Sequence, residues 1–201
     1  MPRLQPSFFI RPDVLEISKQ LLGKHLFTKT GRSTITGGII TETEAYAGPE
    51  DRASHAHGNR RTKRTETMFK RGGVAYVYLC YGMYPLFNIV TNEENIPHAI
   101  LIRAIQPTHG IATMLRRRRK TKLDRSVAGG PGVLCLALGI GLIHNGENLS
   151  NGRIWLEKRN SDLEPGQIKA SHRIGVEYAG AHARRPWRFR IKNSPWTSKP
   201  D

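Results

Sequence analysis

Val74-Ala75-Tyr76-Val77-Tyr78-Leu79-Cys80-Tyr81-Gly82-Met83-Tyr84-Pro85, followed by Leu86-Phe87-Asn88-Ile89-Val90-Thr91, is the stretch on which the fold turns. β-Branched and aromatic residues dominate both runs, and Gly82 and Pro85 reverse the chain between them. The pattern predicts a strand over 74–81, a turn over 81–85 and a returning strand over 86–91. A period of two places Tyr76 and Tyr78 on one face and Tyr81 on the other, next to the turn. A ring exposed at a hairpin tip can wedge into a base stack. Cross-strand packing is the alternative for all three rings, and for Tyr76 it is the preferred one.

Working outward, 35–46 reads as a strand bent at Gly37-Gly38, and 99–105 as another strand, closed by Pro107. The segment 12–23 reads as a helix with acids in its first turn and Gly23 as its stop. A helix over 108–123 would bury Ile111, Met114 and Leu115 and leave most of 116–120 outside. Gly129-Gly130-Pro131-Gly132 reads as a loop, 133–138 as a short helix, and 154–157, 173–176 and 188–191 as later strands. Strands outnumber helices without alternating with them, which favours an α+β fold over a doubly wound one. There is no repeat, low-complexity block or dividing linker, so residues 1–201 read as a single domain.

Composition narrows the function. The chain carries 32 Lys and Arg against 16 Asp and Glu, a net charge of +16, and a polyanion is the default partner for such a surplus. A hydrophobic content of 38% with 20 glycines excludes a disordered basic tail. No run approaches the ~18 apolar residues of a membrane span, so no membrane association is expected. The N-terminal Met1-Pro2-Arg3-Leu4-Gln5-Pro6 lacks an apolar run leading to a cleavage site, and Cys80 and Cys135 form no C-x-x-C pair. The reading is a reduced, intracellular protein.

Basic residues gather in 52–71, 116–125 and 184–192, a distribution suited to phosphate contacts that position a duplex without reading its sequence. Acids are scarce, yet Glu42, Glu44, Glu50 and Asp51 fall close together. On a strand, Glu42, Glu44 and Tyr46 share a face, and a carboxylate beside a ring is a candidate base next to a stacking wall. A surface salt bridge is the plainer alternative. His55-Ala56-His57 is too weak a pattern for a metal site, and no metal is expected.

Glu42-Thr43-Glu44-Ala45-Tyr46-Ala47-Gly48-Pro49-Glu50-Asp51 with Ala53-Ser54-His55 resembles the signature of the alkyladenine (3-methyladenine, methylpurine) DNA glycosylases. Met68-Phe69 and the run from Tyr76 to Tyr84 resemble that family's hairpin. Asn88, Leu101-Ile102-Arg103-Ala104, Gly130-Pro131-Gly132-Val133-Leu134-Cys135 and Ser194-Pro195-Trp196 follow in the family's order. The chain departs from the family pattern at 62–67 and at Arg71-Gly72-Gly73, both in the basic approach to the hairpin.

The resemblance implies a curved, mainly antiparallel sheet with a protruding β-hairpin. It implies an enzyme that flips a damaged purine out of double-stranded DNA, cuts its N-glycosidic bond without a cofactor and leaves an abasic site. Candidate substrates are 3-methyladenine, 7-methylguanine, hypoxanthine and ethenoadenine. By the same resemblance Glu44 is the general base and Arg103 helps to place the water. Tyr46, His55 and Tyr78 sandwich the base, main chain from Ala53 to His55 reaches its edge, and Asn88 stands at the wall against the guanine amine. Tyr81 is the intercalating wedge, and Met68 and Tyr76 support the pocket. One flipped nucleotide needs one pocket, so a monomer is expected. A non-catalytic RNA- or ribosome-binding module is the alternative; a metal-dependent nuclease ranks behind it.

Overall fold

A computed structural model describes residues 2–159 and 163–198. Its strands are β1 (His25–Thr30), β2 (Thr34–Tyr46), β3 (Ala75–Cys80), β4 (Tyr84–Thr91), β5 (His98–His109), β6 (Ile154–Glu157), β7 (Ile168–Ser171) and β8 (Arg188–Ile191). The helices are α1 (Pro6–Phe9), α2 (Val14–Gln20), α3 (Ile111–Arg118) and α4 (Pro131–Leu138). The strands form one antiparallel sheet in the order β3-β4-β5-β2-β1-β6, with the β7–β8 pair joined to β2 through β8. This is the expected α+β fold.

β2 organises the sheet because one of its edges serves two partners. Residues 34–39 pair with β1, residues 42–44 pair with β8, and β5 runs along the other edge. Register shifts at Gly37/Gly38 and on either side of Glu42 let a single strand curl between them. The glycines at the first shift are required by space. A Cβ on Gly37 would collide with the Phe27 ring, and one on Gly38 with the Gln106 carbonyl.

The main core lies between the sheet and helices α2 and α4, filled by Ile17, Leu21, Ile40, Phe87, Ile89, Ile102, Leu134 and Leu138. α2 starts where Asp13 accepts hydrogen bonds from the Leu15 and Glu16 amides, each 3.0 Å. α3 ends at Arg118, capped by Arg119 in the left-handed region at φ 51°, short of the expected 123. The helix expected from 133 starts two residues earlier, with Pro131 in its first turn, where proline is well accommodated.

Three other expectations need correction. Pro107 does not close its strand: β5 continues to His109, and Pro107 lies opposite the irregular Gly37-Gly38 step. Residues 173–176 form no strand. The Ile174 amide bonds a side chain and Gly175 has φ 72°, while the strand of this region is β7. Finally, 184–192 offers fewer phosphate contacts than expected, because Arg188 is fully buried and Arg190 nearly so, while Arg184 and Lys192 stay exposed.

Candidate active site

The β3–β4 hairpin projects Tyr81 at its tip. Tyr81 (φ 50°) and Gly82 (φ 70°) both take left-handed backbone, and the Met83 amide closes the turn on the Cys80 carbonyl at 3.0 Å. Left-handed backbone costs a tyrosine about 1–3 kcal/mol, strain that clusters at functional sites. Its side chain gains no packing in return, since Tyr81 is 88% exposed.

Beneath the hairpin lies a cavity of about 590 Å³ lined by Tyr46, Ala53, His55, Met68, Tyr76, Tyr78, Asn88 and Arg103, among others. The structure thus brings together every residue singled out for the pocket. Tyr78 meets the His55 ring edge-on at 4.7 Å and lies 5.3 Å from Tyr76, centroid to centroid. Tyr76, buried with Met68, Phe69 and Val90, bonds His55 Nδ1 through its hydroxyl at 3.0 Å. Arg64 Nη2 stands 3.3 Å from His55 Nε2. A guanidinium can only donate, so Nε2 accepts and Nδ1–H donates to Tyr76. Burial, then Arg64 and Arg60, push the His55 pKa down to about 4, so the ring is neutral at physiological pH. Burial also raises the Tyr76 hydroxyl to about 12. Asn88 donates its amide to the Tyr76 carbonyl at 3.2 Å. The Ala53 carbonyl accepts from Tyr178 Oη at 3.0 Å.

Glu44 is fully buried at the floor. Its Oε2 accepts from Tyr46 Oη at 2.8 Å, and its Oε1 from the Ile174 amide at 2.9 Å with Arg103 Nη1 at 3.2 Å. Tyr46, Ile174 and Arg103 all line the cavity, so Glu44 is one contact removed from it on three sides. Burial and the nearby Glu44 carboxylate hold the Tyr46 hydroxyl well above its ordinary pKa, so it stays a donor.

Sequence reasoning missed the loop that carries Arg173, Ile174, Val176 and Tyr178. Arg173 is buried, pairs with Asp51 through both terminal nitrogens and reaches the Ala45 carbonyl at 2.9 Å. Its guanidinium stacks 4.8 Å from the Tyr46 ring and 5.1 Å from Trp187. Asp51 was visible as one of few acids, but its partner lies 122 positions away. The two histidines of His55-Ala56-His57 diverge, since His57 Nδ1 bonds the Pro49 carbonyl at 2.8 Å. Among the described residues no three His, Cys, Asp or Glu side chains gather as metal ligands would.

A basic α+β domain with a carboxylate under an aromatic cavity and a bare tyrosine at a hairpin tip has the features of a DNA glycosylase. Comparison with known proteins makes the class specific. The family model described as methylpurine-DNA glycosylase matches residues 7–195. A Chlamydia felis protein is 46% identical over 187 residues, covering 92% of this chain and 94% of its own length. A Bacillus cereus protein (strain B4264) is 42% identical over 205 residues, covering 96% and 98%. Both bear the name "Putative 3-methyladenine DNA glycosylase". The chain belongs to the methylpurine-DNA glycosylase family. It is therefore an enzyme acting on DNA, which displaces the RNA- or ribosome-binding alternative. No helix among the described residues is long and apolar enough to cross a membrane.

Proposed function

We propose that this protein works as a monomer inside the cell, flips a damaged purine out of duplex DNA and hydrolyses its N-glycosidic bond. The observation that carries this reading is Glu44, buried yet hydrogen-bonded to a ring of the aromatic cavity and to Arg103.

In this mechanism Tyr81 fills the gap left in the stack, and the purine enters between Tyr46 on one side and His55 with Tyr78 on the other. Stacking of this kind contributes roughly 1–3 kcal/mol per base. Main chain from Ala53 to His55 reads the purine edge and Asn88 stands at the wall against the guanine amine, while Met68 and Tyr76 hold the wall from behind. Among the described residues Tyr46 Oη is the one side-chain donor on Glu44 Oε2, and a carboxylate oxygen has room for a second. Movement of the ring as the base stacks exposes Oε2 to water, which Arg103 helps to place. Glu44 takes a proton from that water as its oxygen bonds the anomeric carbon. The bond to the purine nitrogen breaks, its electron pair leaving with the base. The carboxylate also stabilises the oxocarbenium-like charge on the sugar. No lysine Schiff base is involved, so the strand stays intact. The substrates are 3-methyladenine, 7-methylguanine, hypoxanthine and ethenoadenine.

The test uses a labelled duplex with one hypoxanthine, incubated in chelator and then split for treatment with hot alkali. Cleavage only after alkali is the expected result. Cleavage without alkali, or no base release from hypoxanthine or 3-methyladenine duplexes, would overturn the reading.

A further inference from the structure

Both stacking walls of the cavity carry a guanidinium, and the two are held in different ways. Arg173 lies against the Tyr46 ring but does not line the cavity, and Asp51 neutralises it. Arg64 lies over the Tyr78 ring, 4.7 Å from its centroid, and both residues line the cavity. The other buried charges near the site are matched in pairs: Glu42 with Arg188, Glu44 with Arg103 and Asp51 with Arg173. Among the described residues no ion pair joins Arg64 to a carboxylate. The cavity mouth therefore carries an uncompensated positive charge on a surface where a base would stack.

The backbone fixes where this charge originates. Thr65 is buried, its hydroxyl donates to the Arg60 carbonyl at 2.9 Å and accepts from the Thr62 amide at 2.9 Å. Those bonds tie down the turn that bears Arg64, while the side chain itself is exposed and held by the Tyr78 face and His55 Nε2. His55 is neutral and supplies no negative charge, as its proton arrangement shows. An entering base meets this guanidinium before it completes its stack.

We propose that Arg64 is a specificity-determining residue that sets the charge of the base the pocket accepts, favouring neutral purines over permanently cationic alkylpurines. A neutral purine offers its electron-rich face to the guanidinium, as the Tyr78 ring does in the free protein. An N7-alkylated guanine carries its own positive charge into the same space, at separations where like charges repel even with partial solvation. This inference rests on the base-excision reading of the site and names the substrate class within it.

The experiment measures single-turnover base release from matched duplexes carrying one hypoxanthine (neutral) or one 7-methylguanine (cationic), using wild type, Arg64→Gln and Arg64→Lys. Arg64→Gln is expected to raise the 7-methylguanine to hypoxanthine rate ratio by about tenfold. Arg64→Lys, which keeps the charge, should hold the ratio within about threefold of wild type. Equal losses on both substrates in Arg64→Gln would reduce Arg64 to a phosphate contact and overturn the proposal. So would an equal ratio shift in both variants, since shape and not charge would then be responsible. If wild type releases neither base, the excision reading itself fails; if it releases both and the ratio does not move, only the role of Arg64 fails.

Discussion

Glu42 and Glu44 stand two residues apart on one strand, both fully buried and both in contact with Arg103, yet their surroundings differ. Between them Thr43 faces the other way and exchanges hydrogen bonds with Ser18 on α2, as the period of a strand requires. Glu42 Oε1 receives Arg103 Nε at 2.7 Å, Arg188 Nε at 2.8 Å and Ser198 Oγ at 2.7 Å, and its Oε2 receives the Ser198 amide at 2.6 Å. Arg188 and Ser198 seal it from behind, and neither lines the cavity. Glu44 is held by groups that do line it. Burial alone does not separate the two carboxylates: among the described residues Arg103 is the one cavity-lining donor on Glu42, whereas Tyr46, Ile174 and Arg103 all border the cavity around Glu44.

The largest expected difference between the two is catalytic. Glu44→Gln should lower single-turnover base release per folded molecule by about 10³-fold, within the range for loss of a general base, and its stability cost should be the smaller of the two because Arg103 keeps Glu42 as an ion-pair partner. Glu42→Gln should do the reverse. Removing one partner of a buried pair costs about 3–5 kcal/mol, read by denaturant unfolding, while release per folded molecule stays within tenfold.

Acid sharpens the contrast. Although burial alone would raise its pKa, Arg103, Ser198 and Arg188 together hold the Glu42 carboxyl below its ordinary value of 4.5. Its contribution to stability is therefore complete above pH 4.5 and lost as pH falls through the lower folded value. A melting series from pH 6 to pH 3 should show this loss in wild type and a shallower one in Glu42→Gln. His55 acts in the same direction at higher pH. Its folded pKa of about 4 lies below the ordinary 6.5, so its share is present above 6.5 and lost as pH falls towards 4. His55→Gln should flatten that upper part of the series.

The smallest effect on stability belongs to the hairpin tip. Tyr81→Ala should change unfolding free energy by less than about 0.5 kcal/mol, because the ring packs on little. It should nevertheless weaken binding to a lesion duplex by about tenfold or more in a fluorescence titration, through loss of stacking.

Much of this was legible in the chain because the deciding residues are near neighbours. The alternation of Ala75–Cys80 and the Gly82 turn mark the hairpin, and the spacing of Glu42, Glu44 and Tyr46 puts them on one face. What escaped depends on distant pairing. Arg188 sits in a basic run that reads as phosphate-contacting until β8 pairs with β2 and brings it to Glu42. Arg173 reads as a strand residue until the fold delivers it to Asp51 and the Tyr46 ring. β1 escaped because its pattern breaks alternation, with four buried residues in succession from His25 to Thr28. Short-range pattern marked the candidate residues, and long-range ion pairs set how they are held.

The most direct test of the division between the two carboxylates separates base flipping from bond cleavage in one sample. Glu44→Gln and Glu42→Gln would each be mixed with a hypoxanthine duplex carrying a 2-aminopurine beside the lesion, following fluorescence for flipping and free base for cleavage. The account predicts that Glu44→Gln gives the wild-type fluorescence rise and releases no hypoxanthine over many wild-type half-lives, while Glu42→Gln gives both signals. Release by Glu44→Gln at near the wild-type rate, or its loss in folded Glu42→Gln instead, would contradict it.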